Sequence, residues 1–268
     1  MNFWEEIYKK YIGYGEYQKN DNMDRFGGVF SPYHIVISLL LVAFIITFTY
    51  KTRKCTQSEL FKKQKVISWV MLAFEAFRFI WYRIFQGFWY FKYDLCNLIC
   101  LFMPIFVLNK SRKSILMWAA VAFYGGTAVL LYPYGIFAAF NGVHIITIQS
   151  MISHGLMVLT SINLVRMYKI EFKKDLIASF IGYGILATIS FVMCFVNDAN
   201  YMALKDPTGI PVVNHLPFPL SSFAIIGFIY LGIYLFLLVI KTYQEKFLCV
   251  DLKVEDNNHE LQESNFTI

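Results

Sequence analysis

The chain has 268 residues, of which 57% are hydrophobic, 19% aromatic and only 16% charged, and its mean hydropathy is +0.50. An average soluble domain is about 45–50% apolar and about 25% charged, so these values exclude a disordered chain, a coiled coil and an ordinary globular enzyme. The net charge of +6 comes from basic residues dispersed in short loops, which points to membrane topology and away from nucleic acid.

The start, MNFWEEIYKKYIGYGEYQ, is polar and aromatic and lacks the continuous apolar run of a secretory signal. Residues 1–31 therefore read as an extracytoplasmic segment, 32–241 as a transmembrane domain, and 242–268 as a polar, disordered cytoplasmic tail. Within the domain, seven apolar runs recur: Tyr33–Tyr50, Val66–Gln86, Tyr93–Leu108, Ser114–Leu131, Ile145–Val165, Leu176–Val196 and Leu220–Ile240. Each is about the length that crosses a hydrocarbon core as a helix. They are continuous rather than alternating, which excludes a β-barrel and predicts an all-α polytopic membrane bundle of seven helices. Sixteen Lys and Arg fall in the first, third and fifth loops and the tail, against six on the other side. That bias places the N-terminus outside and the C-terminus in the cytoplasm.

Polar groups inside lipid are costly and mark candidate sites. In the second run Glu75 and Arg78 stand three apart on one helix face, where they pair either to bind a headgroup or to fix packing. Arg83, further toward the outer surface, snorkels or grips a phosphate or carboxylate. The third run opens YDLCNLICLFMP, clustering Asp94, Cys96 and Asn97, with Cys100 one turn below. A membrane cysteine is usually a small packing residue, but a thiol with polar neighbours has the partners a nucleophile needs. In the fifth run Thr147, Ser150, His154 and Ser161 form a polar stripe. His154 lies near mid-span, either bonded to a neighbouring helix or acting as base, metal ligand or proton relay. No second ligand stands at metal-binding spacing, and the five cysteines contain no CxxC, so no metal or cofactor is expected. His144 begins the fifth run, while His34 and His259 read as terminal. The outer loops 132–143 and 197–219 are aromatic or Pro-rich, the second holding Pro207, Pro211, Pro217 and Pro219. They read either as interfacial anchors or as a cap over the outer mouth, which would expose Asn200, Tyr201, Asn214 and His215 to a cavity.

The segments DLCNLICLFMP, QSMISHGLMVLTSI and NYMAL resemble the bacterial YwaF-like integral membrane protein family, over nearly the whole chain. That family is distantly similar to the eukaryotic transmembrane protein 164, described as a lysophospholipid acyltransferase. The resemblance implies that Cys96 is a nucleophile and His154 its base. The chain departs from the family pattern at Tyr93-Asp94, where Pro, Leu and often His are common, so no second histidine carries over. Cys96 lies about one turn into its run and His154 nearer the middle, a difference in depth that helix tilt would have to close.

Three functions follow. The first is a plasma-membrane acyltransferase or acyl hydrolase acting on phospholipids or lysophospholipids. In it Glu75, Arg78, Arg83, Asp94, Asn97, Ser150, Asn200 and Tyr201 bind substrate, and the partners are membrane lipids as acyl donor and acceptor. The second is a small-molecule or ion transporter with Glu75 and His154 relaying protons, which an absent inverted repeat disfavours. The third is a sensor or assembly protein whose polar stripe only packs helices.

Overall fold

A computed structural model describes residues 30–86, 91–109, 112–132, 143–205, 213 and 215–247. Among them are seven α-helices: α1 Pro32–Lys51, α2 Gln57–Gln86, α3 Leu95–Leu108, α4 Arg112–Leu131, α5 Ile145–Met167, α6 Phe172–Val196 and α7 Leu220–Phe247. A short 3-10 turn, Tyr201–Ala203, precedes α7, and the described residues contain no strand. Four helices (α1, α5, α6 and α7) are long and apolar enough to cross a membrane, and α3 and most of α4 are shorter apolar helices. The architecture is a helical membrane bundle. The segment 1–29, most of the uncharged loop 132–143, Pro207, Pro211, Asn214 and the residues from 248 onward lie outside the described residues.

Three helix boundaries differ most from the apolar runs. α7 continues to Phe247, seven residues past Ile240, so 242–247 of the segment read as a disordered tail are helical. The second run begins at Val66, but α2 begins at Gln57, so Lys62, Lys63 and Lys65 sit on a helix and not in a loop. The cause is a capping box: the Thr56 amide donates to Glu59 Oε2 at 2.9 Å and the Glu59 amide to Thr56 Oγ1 at 3.3 Å. Those contacts hold the Glu59 carboxyl below its ordinary range. The third run, by contrast, yields a helix of only 14 residues that starts after Asp94, whose backbone is extended.

The apolar window of α5 is 72% buried and that of α1 only 11%, so α5 is the axis and α1 lies at the periphery. α4 and α5 form the most extensive helix pair. Glycine makes it close: a Cβ on Gly126 would stand 2.6 Å from the His154 carbonyl oxygen, and small residues are what allow membrane helices this proximity. α1 is tied to α4 through His34, which is buried and not a bystander at a helix end. Its Nδ1 accepts from the Phe30 amide at 3.0 Å, so Nε2 carries the proton and donates to the Leu130 carbonyl at 2.9 Å. That carbonyl sits in the last turn of α4, where helical donors run out.

At the other end, side chains satisfy the last turn of α5. Gln57 donates to the Met167 carbonyl at 2.8 Å, and Gln244 to the Val165 and Tyr168 carbonyls at 2.7 and 3.0 Å. Arg166 reaches across to Thr52 at the end of α1, at 3.0 Å to the hydroxyl and 2.7 Å to the carbonyl. Between α2 and α5, Asn163 donates to Gln64 and Gln64 to Thr160, each at 2.9 Å. The axial helix is thus fixed in register before any site chemistry is considered.

Candidate active site

Glu75 and Arg78, one turn apart on α2, are buried at 2% and 8% exposure and form an ion pair. Arg78 also donates to the side-chain oxygen of Asn97 on α3, and Asn97 donates to the Lys92 carbonyl at 3.2 Å. A guanidinium in low dielectric needs both its charge and its N–H groups answered, and Glu75 and Asn97 together do so. The consequence is a cation of fixed position between α2 and α3, within electrostatic reach of Cys96, Cys100 and His154.

Cys96 is the second residue of α3, reduced and half-buried. The chain around it is anchored twice. Asp94 Oδ1 accepts the Met202 amide at 2.9 Å, and the Tyr93 carbonyl accepts the Ser190 hydroxyl at 2.5 Å. Met202 reaches Asp94 from the middle of the 3-10 turn with φ of 55°, a left-handed conformation that costs a non-glycine residue energy and persists only where its surroundings impose it. Tyr201 is buried beside it, edge-on to Tyr93 at 5.7 Å, with its hydroxyl accepting from Asn197 at 3.0 Å. The segment between α6 and α7 therefore hooks onto the start of α3 through Asp94, for which the family resemblance supplies no role.

His154 is 4% exposed and sits on the axial helix. Its Nδ1 lies 2.7 Å from the Ser150 carbonyl oxygen. A carbonyl only accepts, so Nδ1 carries the proton and Nε2 presents a lone pair. That Nε2 is buried and has no hydrogen-bond partner. Buried polar atoms are nearly always paired, and a catalytic role is one of the reasons for which one is left open. Nearby Gln149 donates to Ser153 at 3.0 Å, while Thr147 Oγ1 and Gln149 Oε1 are also unpartnered.

The Cys96 side chain and the His154 main chain pack against consecutive positions of α4. A Cβ on Gly125 would lie 3.6 Å from Cys96 Sγ and 3.1 Å from Met157 Cε, while one on Gly126 would lie 2.6 Å from the His154 carbonyl oxygen. The first turn of α3 lies level with Gly125 of α4. Cys96 Sγ makes no hydrogen bond to His154 Nε2, and apo geometry of this kind is compatible with a pair that tightens around substrate.

Of the predicted substrate contacts, Glu75, Arg78 and Asn97 form one cluster beside Cys96, and Ser150 contributes its carbonyl to His154. Asp94 and Tyr201 are engaged in the hook. Arg83 and Asn200 are exposed, Arg83 off the Arg78 face and Asn200 accepting the Lys205 amide at 3.0 Å. His144 caps α5, its Nδ1 accepting the Ile146 amide at 3.2 Å, under the edge of Trp81. Among the described residues no three His, Cys, Asp or Glu side chains are grouped to hold a metal. Sequence reasoning missed Gly125-Gly126, although a glycine pair inside an apolar run is itself a signal of close helix contact.

Residues 29–240 match the model of the TMEM164 family. Neither a curated protein nor a solved structure matches the chain.

Proposed function

The chain belongs to the TMEM164 family and is an integral membrane protein, and from that premise we propose that it transfers acyl groups between phospholipid-class molecules through a Cys96 thioester. The observation that carries this reading is the unpartnered Nε2 of His154, a buried lone pair fixed by the Ser150 contact, on a residue whose main chain packs against Gly126 of α4 while Cys96 Sγ lies against the neighbouring Gly125. In the first half-reaction His154 Nε2 takes the Cys96 S–H proton. The sulfur then bonds the ester carbonyl carbon of a donor phospholipid, the carbon–oxygen ester bond breaks, and the departing glycerol oxygen takes the proton from Nε2. In the second, a lysophospholipid hydroxyl gives its proton to Nε2 and attacks the thioester carbonyl, the carbon–sulfur bond breaks, and the departing Cys96 sulfur takes the proton back from Nε2. Water in place of the acceptor gives hydrolysis.

Arg78, braced by Glu75 and Asn97, supplies the positive potential at the carbonyl. Arg83 and Asn200, both exposed, receive the headgroup, and the Asp94–Met202 contact sets the mouth through which it enters. The bias of basic residues supports an outside N-terminus, and a place in the plasma membrane and kinship with the YwaF-like proteins belong to the same reading.

The test is acylation of a labelled lysophospholipid by protein reconstituted in liposomes with a diacyl donor. Wild type is expected to form labelled diacyl product, and Cys96→Ala and His154→Asn are expected not to. Equal product from all three overturns the reading.

A further inference from the structure

The membrane-facing side of the α6–α7 pair carries an open groove away from Cys96. Two adjoining hollows, of about 710 and about 250 Å³, run along the outside of the α6–α7 pair and share Gly184, Thr188 and Tyr230. One end reaches Phe180 and Ile181 near mid-helix, and the other reaches Ser222 at the start of α7. The polar groups along this cleft are already answered within the protein. Tyr230 donates to the Phe180 carbonyl at 3.2 Å, Thr188 to the Gly184 carbonyl at 2.8 Å, and Ser222 to the Leu204 carbonyl. The lining therefore asks for no hydrogen bond from an occupant, and filling it with water would leave that water poorly bonded.

Both walls are helices apolar enough to span a membrane, with most of their apolar windows exposed, so the medium at the cleft is hydrocarbon. Its shape is also built in. The Tyr230 ring lies against Phe180 at 4.7 Å and Tyr183 at 4.9 Å, and its hydroxyl stands where a Cβ on residue 184 would be only 2.9 Å away. The Gly184 floor thus exists only because that residue has no side chain. We propose that the α6–α7 cleft is a specific binding site for one acyl chain of a membrane lipid, separate from the chemistry at Cys96.

The experiment uses the full chain in phosphatidylcholine liposomes carrying a trace of phosphatidylcholine with a mid-chain diazirine, irradiated and mapped by peptide mass. Expected are adducts concentrated on the peptides bearing Gly184 and Tyr230, lost when unlabelled diacyl lipid is raised. Thr188→Phe places a ring in the cleft from an exposed position; it is expected to abolish those adducts while leaving thermal unfolding unchanged. Leu39→Phe on the exposed face of α1 is expected to change nothing. Adducts spread over every exposed face in proportion to exposure, adducts unaffected by Thr188→Phe, or cross-links between two copies at the cleft would each overturn the proposal. Loss of acyl transfer with the adducts intact would count against the Cys96 reading alone.

Discussion

His154 and Ser150 are joined by a 2.7 Å hydrogen bond from the imidazole Nδ1–H to a carbonyl one turn earlier on the same helix. This contact orients the ring and fixes its tautomer without help from another helix. It predicts that His154→Asn, whose amide N–H reproduces the Nδ1 donor, keeps the fold and loses the base. Acyl transfer is expected to fall by about 10²–10⁴-fold with little change in thermal unfolding. A parallel loss of both would make His154 a packing residue.

Arg78 is held by two partners on two helices. Glu75→Leu leaves the guanidinium buried with its charge unanswered, and removing one partner of a buried pair costs about 3–5 kcal/mol. The double variant Glu75→Leu/Arg78→Met removes both charges and is expected to regain most of that stability while remaining inactive. Thermal unfolding in detergent, read beside the liposome assay, checks both halves of the statement.

Gly125 and Gly126 are predicted to differ sharply. A methyl group on Gly126 meets the His154 backbone at 2.6 Å, which cannot move without shifting α5, whereas on Gly125 its nearest neighbours are the ends of the Met157, Cys96 and Ile99 side chains. Gly126→Ala is expected to destabilise by about 1–3 kcal/mol. Gly125→Ala is expected to unfold within a degree or two of wild type, and comparison of their melting curves decides the point.

Asp94 holds the Met202 amide at 2.9 Å, a bond to a charged acceptor that contributes about 1.5–3 kcal/mol. Asp94→Ala is expected to release the 3-10 turn. Hydrogen exchange at the Met202 amide is predicted to quicken, while amides of α5 keep their protection. Unchanged exchange at Met202 would mean that the turn is held by Tyr201 and its neighbours alone.

Much of this fold is written in the length of its apolar runs, since a run that matches the hydrocarbon thickness has few other ways to fold. The polar extension of α2 was equally legible in Thr56 and Glu59, but apolar periodicity does not register it. The Glu75–Arg78 pair follows from spacing on one helix. Its third partner, Asn97, and the hook from Met202 to Asp94 do not, because each depends on which helices become neighbours. The same holds for Cys96 and His154: residue type and resemblance single them out, while their packing against neighbouring glycines of α4 depends on which helices become neighbours. His34 shows the reverse case, a residue that looks terminal in the sequence and ties α1 to the end of α4.

The central claim is a covalent one, and the mass of the protein tests it directly. Purified protein incubated with a diacyl phospholipid and quenched in acid is predicted to gain the mass of one acyl group, located on the Cys96 peptide and released by hydroxylamine. The adduct is predicted to be absent in Cys96→Ala. An unmodified wild-type mass under conditions of turnover, or an adduct that persists in Cys96→Ala, would contradict the account.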